Sequence, residues 1–280
     1  MNTPRLLTAA LLIAPLYTTG CEALSEFTPT VAYDNLDVNS IDWQSIDSNF
    51  NFRVNNPNPV DIQLARFDYD LGFEGIDWLS GENAEGLALE AAADSAWSLP
   101  VNIGFTELFD VISAIRGEDI VDFELSGTFG FDTRIGPIDI PYDAAGDFPA
   151  LRRPSFALNK IEVGSIDWSD LTVDLGLKLD VDNELGSNMA FWNMDYGIDI
   201  AGTRVTNGFL AELGSVDGAS SSTVDIPFKV DLYNVAGAAY DVIVNKEKAA
   251  VGLDAALEVD TPFGVVPLTL DLSDGALNVQ

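Results

Sequence analysis

Histidine is absent from this chain of 280 residues, and cysteine occurs only once, at Cys21. Without histidine the chain cannot form a Ser-His-Asp or Cys-His catalytic site, or a zinc site built on imidazole ligands. One cysteine provides neither an intramolecular disulfide nor a thiolate metal cluster. The glycine-rich signatures of nucleotide-binding loops are also missing. We therefore expect a protein that is not an enzyme and that carries no cofactor.

Positive charge is scarce as well. The chain has 13 Lys and Arg against 45 Asp and Glu, which gives a formal net charge of −32. Nucleic acid is excluded as an expected partner, because binding it needs clustered cations that neutralise phosphates. The charge predicts a hydrated, soluble surface whose self-repulsion is relieved by salt. A surface that binds divalent cations is the alternative.

One acidic cluster has the chemistry of a calcium site. Asp180, Asp182, Asn183 and Glu184 fall in a predicted turn and offer the hard oxygen ligands that Ca²⁺ prefers. The cluster lacks the spacing and the glycine of an EF-hand loop, and acids at the end of a strand explain it equally. No pair among the many carboxylates is marked out as a glycosidase pair.

Long apolar runs are confined to the N-terminus. Residues 1–20 have the form of a signal peptide, with Arg5 followed by an apolar stretch over residues 6–16 that is too short to span a bilayer. The small residues before Cys21 resemble the lipobox of bacterial lipoproteins, although Thr18 stands where leucine is usual. The resemblance implies that Cys21 carries the lipid, including palmitate, and that residues 21–28 form a tether. Ordinary cleavage that leaves a free thiol is the alternative.

The chain repeats itself after the tether. The segment from Pro29 to Trp43 aligns without gaps with Pro154 to Trp168, and the two share a Ser-Ile-Asp-Trp tetrad. After an insertion of two residues the match continues at turn residues, which ties it to backbone geometry. The matched pairs are Gly75 with Gly202, Gly81 with Gly208, and Pro100 with Pro227.

Each copy has the alternating pattern of β-strands that bury one face. Apolar residues alternate with polar ones over 46–54 and 123–131 in the first copy, and over 171–181 and 253–259 in the second. A helical spacing interrupts the pattern once per copy. In the first copy it involves Phe105, Leu108, Phe109, Ile112 and Ile115, with Gly117 placed to end the helix; residues 235–244 are the weaker counterpart.

Trp43 and Trp168 occupy equivalent positions, each two residues after an isoleucine. Residues i and i+2 of a strand share a face, so we expect both indoles to pack into the core. A pair of aromatic platforms for stacking a sugar is the alternative.

The order of these features resembles the type-2 late embryogenesis abundant family, also called the water-stress and hypersensitive-response (WHy) domain. An alternating strand ends in Val54-Asn-Asn-Pro-Asn-Pro59 and is followed by a strand with Phe67-Asp-Tyr-Asp-Leu71. The turn Asn56-Pro57-Asn58 is the family's marker and has a structural role. The second copy departs from it, since Asp182-Asn183-Glu184 stands there.

The resemblance implies an all-β fold of two tandem antiparallel sandwiches of the fibronectin or immunoglobulin type, each with one short helix, over residues 29–153 and 154–280. It also implies a role in desiccation and stress tolerance, without catalytic residues. The short link Arg152–Ser155 suggests restricted motion between the domains.

We therefore expect a non-enzymatic lipoprotein of the bacterial cell envelope, anchored in the membrane through its N-terminal lipid. Glu22 after the lipidated cysteine favours the outer membrane, with the protein facing the periplasm or the surface. It would act through weak stabilising interactions. The alternative is a module that binds a lipid, another apolar ligand or an envelope protein, which a discrete apolar cavity would favour.

Overall fold

The computed structural model describes residues 27–83, 87–111, 117–134, 136–235 and 237–280. These residues form fifteen strands and two short helices, and most strand pairs are antiparallel. The predicted all-β fold with two tandem sandwich domains is confirmed. We refer to strands β1–β8 as the first unit and to β9–β15 as the second unit.

The first unit consists of two sheets. The smaller has the order β1-β2-β6, formed by β1 (Thr30–Ile41), β2 (Ser45–Asn56) and β6 (Ala93–Gly104). The larger has the order β4-β3-β7-β8, formed by β3 (Ile62–Phe73), β4 (Ile76–Asn83), β7 (Ile120–Thr133) and β8 (Gly136–Pro149), and the short β5 (Leu87–Leu89) also pairs with β3. Among the described residues β8 is the last strand of its sheet, so it presents an unpaired edge.

The second unit repeats this topology but joins its two sheets. Its strands are β9 (Ser155–Asp167), β10 (Thr172–Asn183), β11 (Met189–Ile200), β12 (Thr203–Val216), β13 (Ser220–Asp231), β14 (Ala249–Thr261) and β15 (Gly264–Val279). The end of β15 pairs in parallel with β9, at Asn278 with Lys160 and Val279 with Ile161. This short seam makes one seven-stranded sheet in the order β12-β11-β14-β15-β9-β10-β13.

The cores follow the predicted alternation. In β2 the side chains of Ile46, Ser48, Phe50, Phe52 and Val54 are all buried. In the second unit the prediction is wrong at its first residue: Leu171 lies in the turn before β10 with a φ of 53° and is 40% exposed. A residue in a left-handed turn cannot continue the alternation of a strand, so the buried set of β10 begins at Val173.

The glycines shared by the two copies have the same role in both. Glu74-Gly75 and Ala201-Gly202 are two-residue hairpin loops in which both residues have positive φ, as a type I′ turn requires. Across these hairpins Tyr69 pairs with Gly81 and Tyr196 pairs with Gly208. In each case the tyrosine ring occupies the space that a Cβ on the glycine would take.

Both predicted helices are present. Helix α1 spans Phe105–Val111, and its residues Phe105 and Leu108 are buried in the core. The predicted positions Ile112 and Ile115 lie outside the described residues. Helix α2 spans Ala238–Asn245 and buries Ala239, Val242 and Ile243. Both helices pack directly on the core.

The two units are in direct contact. The indole Nε1 of Trp43 donates a hydrogen bond to the carbonyl of Pro267 at 2.8 Å, and Arg153 Nη2 donates to the carbonyl of Thr269 at 2.9 Å. Among the described residues, both carbonyls belong to the part of β15 that has no partner strand on that side. The first unit therefore covers a free sheet edge of the second, which is how proteins block unwanted strand pairing.

A second set of contacts joins the same ends of the two units. Gly117 N donates to the Glu184 carbonyl at 3.0 Å, and Ser187 hydrogen-bonds the carboxylate of Asp119. Arg152 lies over the ring of Phe109, 3.9 Å from its centroid, and its Nη1 is 3.1 Å from Glu184 Oε2. These contacts support the restricted motion expected from the short link.

Candidate functional site

The outer surface of the β1-β2-β6 sheet is a continuous polar face. Because one side of each strand is committed to the core, the other side collects every second residue. On this side carboxylates, amides and hydroxyls predominate, and Arg53 pairs with Asp34 at 2.9 Å. We call this surface the first polar face. It is formed by Asp37, Ser40, Asp47, Asn49, Asn51, Ser98 and Asn102.

Hydrogen bonds link the first polar face from strand to strand. Asp47 on the central strand accepts from Asn102 Nδ2 at 2.5 Å on one side and from Ser40 Oγ at 2.9 Å on the other. These two hydrogen bonds, first that from Asn102, lower the pKa of Asp47. Asn51 donates to Asp37 Oδ2 at 2.8 Å and accepts from Ser98 Oγ at 2.6 Å. Neutral donors therefore hold the carboxylates of this face in place.

The equivalent surface of the second unit is built differently. On the outer face of β9-β10-β13, which we call the second polar face, Lys178 Nζ lies 3.1 Å from Glu162 and 3.2 Å from Asp225. The pKa of Lys178 is raised, chiefly by its hydrogen bond to Glu162. The pKa of Glu162 is lowered by its hydrogen bonds to Lys160 and Lys178. Here lysines take the place that amides hold in the first unit.

The residues predicted as calcium ligands have different surroundings. Asp180 accepts from Asn159 Nδ2 at 2.8 Å and from Thr223 Oγ1 at 2.5 Å, and Asp182 accepts from Ser221 Oγ at 2.7 Å. Both aspartates line a surface pocket of about 380 Å³ on the second polar face. In contrast Asn183 is buried, and Glu184 pairs with Arg152 at the contact between the units.

The described residues contain no group of three or more His, Cys, Asp or Glu that could hold a metal ion. Asp180 and Asp182 share a face, but the other two side chains are engaged elsewhere. Binding of calcium stays a prediction, and of the four predicted residues only Asp180 and Asp182 are placed together for it.

The family-motif turn contains a buried asparagine that recurs in both units. Asn56 Nδ2 lies 3.0, 3.3 and 2.9 Å from the carbonyls of Val60, Leu89 and Glu90, and its Oδ1 accepts from Asn58 N at 3.0 Å. Asn183 Nδ2 contacts the carbonyls of Ser187, Val216 and Asp217 in the same way, and its Oδ1 accepts from Leu185 N. Pro57 and Asn58 therefore correspond to Glu184 and Leu185.

This match corrects the sequence alignment of the turn by one residue. The second copy keeps the first asparagine of the marker, Asn183, and loses only the Pro-Asn that follows it. In both units this amide donates to three backbone carbonyls at the turn, and a buried carbonyl that loses its donor is costly.

The two equivalent tryptophans differ in their surroundings. Trp43 is 8% exposed, but it lies in the β1–β2 turn and is covered at the contact with the second unit. Trp168 lies in the β9–β10 turn and is 59% exposed, so the prediction that it packs into the core is wrong. The internal repeat places both residues alike, whereas only one has a neighbouring unit to cover it.

Residues 1–26 lie outside the described part of the chain, so the predicted signal peptide and Cys21 do as well. No helix among the described residues is long and apolar enough to span a membrane.

The family model named "late embryogenesis abundant protein" matches the chain twice, over residues 51–146 and 178–274. The two matches cover more than half of the chain and fall in the two structural units. The chain belongs to the late embryogenesis abundant protein family. This family is stress-associated and not enzymatic. The two tandem matches in this chain account for the duplication of the sandwich.

Two solved structures show similarity to parts of this family member. One is the crystal structure of a protein from Archaeoglobus fulgidus, with 8% identity, coverage of 44% of this chain and 94% of that chain, and a TM-score of 0.32. The other is the solution structure of a putative late embryogenesis abundant protein, with 20% identity, coverage of 45% and 72%, and a TM-score of 0.31. A comparison with curated proteins found no match.

Proposed function

We propose that this protein is a lipid-anchored envelope protein of the WHy type that stabilises neighbouring macromolecules during drying through its two polar faces. Family membership supports the stress-related role. The observation that carries the proposal is the network of the first polar face, in which Asp47 is held between Ser40 and Asn102.

The chemistry of this face suits contact with a drying surface. When water is withdrawn, polar groups on other macromolecules lose their hydrogen-bond partners, which is costly for each group left unpaired. Amides and hydroxyls offer both donors and acceptors, and the carboxylates offer further acceptors. Strands of the sheet hold these groups at regular spacing, so many weak hydrogen bonds can form together.

The specific binding of an apolar ligand has less structural support. Three described surface depressions have volumes of about 380, 340 and 420 Å³, and polar groups line each of them in part. The space between sheet and helix, where an apolar ligand would sit, is filled in the second unit by Ala239, Val242 and Ile243. We therefore favour weak contacts over a bound lipid.

The proposed stabilising role is tested by drying a labile enzyme with the chain from Glu22 onward and measuring activity after rehydration. An equally acidic unrelated protein is the first control. A variant in which Asn49, Asn51, Ser98 and Asn102 are replaced by alanine should lose a large part of the protection, and the second polar face accounts for what is left. The matched variant replaces Thr203, Thr206, Asn207 and Ser215 on β12 and should retain it. Equal protection by both variants, or by the unrelated protein, would reject the proposal.

The anchor is tested separately. In a bacterial host the full chain should fractionate with membranes and incorporate labelled palmitate, and Cys21→Ser should abolish both. A soluble, unlabelled wild-type chain would reject the anchor but leave the role of the polar faces open.

A further inference from the structure

The free end of the second unit carries three exposed apolar side chains. Trp168 is 59% exposed, Leu171 is 40% exposed and Tyr233 is 83% exposed. They lie at one end of the β9-β10-β13 sheet, because β9 leads into the turn with Trp168 and Leu171, and the turn after β13 carries Tyr233. The hydrogen bond from Leu232 N to the Leu171 carbonyl at 2.8 Å joins the two turns. We call these three residues the apolar tip.

The same end of the first unit shows what such a tip contacts. Phe105 N donates to the Gln44 carbonyl at 2.8 Å, just as Leu232 N does to that of Leu171, so the two ends are closed by the same hydrogen bond, and the turn that carries Trp168 is two residues longer. At this end Trp43 is covered by the second unit and donates to the unpaired edge of β15 at Pro267. Trp168 is the equivalent residue of the second unit, and no other described unit covers it.

The first unit has a counterpart of the β15 edge that Trp43 contacts, and this counterpart is the edge of β8. Thr133 Oγ1 closes the β7–β8 hairpin on the Gly136 carbonyl as Thr261 Oγ1 closes the β14–β15 hairpin on that of Gly264. Counting from these turns, Asp139 and Pro141 of β8 occupy the positions of Pro267 and Thr269. Their strand is the last of its sheet among the described residues.

A second residue at this end supports the comparison. The gapless alignment of Pro29 with Pro154 places Phe27 where Arg152 stands in the second unit. Arg152 is largely buried in the contact between the units, with 12% of its side chain exposed. Phe27 is 43% exposed, and its carbonyl accepts a hydrogen bond from the side chain of Asn58 in the family-motif turn.

We propose that the apolar tip docks on the first unit of a second copy of this chain, and repeats between molecules the contact that the two units make within one. Trp168 of one copy covers the edge of β8 and Phe27 of the next. The contact is heterologous, because the two surfaces differ, so association continues head to tail and does not close as a dimer.

Charge and anchoring both act on this association. Each chain has a formal net charge of −32, so salt strengthens the contact by screening repulsion. The lipid anchor proposed at Cys21 would lie six residues before Phe27. A membrane and a second copy would therefore compete for the end of the first unit that carries Phe27. The proposed association is that of the chain without its lipid.

The test measures the mass of the unlipidated chain from Glu22 onward by sedimentation over a range of concentrations, in about 0.5 M NaCl where screening is strong. We expect dimers and longer species that increase with concentration. Trp168→Ala and Phe27→Ala should each weaken association at least about tenfold, as a central aromatic of an interface does. Trp192→Ala removes an exposed tryptophan from β11 and should change nothing.

Mixing the two variants gives the decisive result. Trp168→Ala keeps an intact β8 edge and Phe27, and Phe27→Ala keeps an intact apolar tip. An equal mixture should therefore form one-to-one heterodimers, in which the tip of the second variant docks on the first, but no longer species. A wild-type chain that stays monomeric, or an association that Trp168→Ala does not weaken, would overturn the proposal. So would a mixture that stays monomeric. Circular dichroism confirms that each variant is folded.

Discussion

A single buried amide stabilises the turn after the second strand of each unit. Asn56 and Asn183 each bring one side-chain amide to three carbonyls, and their own oxygens accept a backbone N–H two residues later. Neither side chain is exposed to solvent. The amide thus ties together three backbone carbonyls from two different parts of the chain.

We predict that Asn56→Ala lowers the free energy of unfolding by about 2–3 kcal/mol, because it leaves buried carbonyls without a donor. Among the described residues the side chain of the neighbouring Asn55 bonds to Asp94 on the surface, at 2.7 Å, so Asn55→Ala is the matched control and should cost less than about 1 kcal/mol. Urea unfolding measures both. Equal losses for the two variants would contradict the role assigned to the buried amide.

The buried phenol of Tyr142 makes stability depend on alkaline pH. Burial, and then the charges of Asp68 and Asp70, raise the pKa of Tyr142 far above that of a free tyrosine. A group whose pKa is raised by folding stabilises the protein below its unfolded pKa, about 10 for tyrosine, and this stability is lost as the pH rises further. Tyr142 Oη donates to the Asp68 carbonyl at 3.2 Å.

Tyr142→Phe should cost about 1 kcal/mol near neutral pH, where the hydrogen bond is lost. Above pH ~10 the difference should shrink or reverse, because the variant has no proton to retain. The exposed Tyr233→Phe, at a residue 83% exposed, should follow the wild type at every pH. A constant difference between Tyr142→Phe and wild type from neutral to alkaline pH would refute this account.

At the scale of elements, the hairpins β3–β4 and β11–β12 depend on a ring that fills the place of a missing side chain. A Cβ on Gly81 would lie 2.7 Å from Tyr69 Oη, which is closer than real contacts allow. The aromatic ring shields the bare backbone of the edge strand, as in other sheets where an aromatic residue pairs with glycine. The second unit repeats the arrangement with Tyr196 and Gly208.

We predict that Gly81→Ala destabilises the first unit by about 1–3 kcal/mol, because Tyr69 must leave its position. In a Tyr69→Ala background the same change should cost much less, since the space is then free, and the coupling should exceed about 0.5 kcal/mol. Urea unfolding of the four proteins completes the cycle. Additive effects would show that the ring and the glycine are independent.

At the scale of the whole molecule, the contact between the units should stabilise both. Trp43→Ala removes an indole that covers the edge of β15, and we expect a loss of about 3 kcal/mol. Its repeat counterpart Trp168 is exposed in the monomer, so Trp168→Ala should cost less than about 0.5 kcal/mol at low protein concentration. Denaturant unfolding of both variants compares the same residue type at equivalent positions. Similar losses would mean that the contact does not support stability.

The excess of acidic groups should make the molecule sensitive to ionic strength. With 45 acidic and 13 basic side chains, most carboxylates have no cation to pair with, and screening their repulsion should raise the melting temperature. A series of NaCl concentrations should show this rise, and CaCl₂ at equal ionic strength is the comparison. A larger rise with calcium would instead identify a specific cation site, for which Asp180 and Asp182 are the first residues to substitute.

The sequence by itself determined what depends on neighbours along the chain. Period-two alternation in residues 46–54 predicted which side chains of β2 enter the core, and the helical spacing after Phe105 predicted α1. The repeated Gly75 and Gly202 predicted turns, because a left-handed backbone favours glycine wherever it occurs. The duplication and the family resemblance followed from the same local patterns, and the family model confirmed the family.

Only the tertiary structure decided what each side chain meets across the molecule. Trp43 and Trp168 lie in equivalent tetrads, but Trp43 is covered by a carbonyl 224 residues away, whereas Trp168 is 59% exposed. The bonds of Asp47 depend on strand register, and Glu184 reaches Arg152 only because the units dock. The alternation of apolar and polar residues predicts on which face of a strand a residue lies. What covers that face depends on contacts between distant parts of the chain, which no local sequence pattern contains.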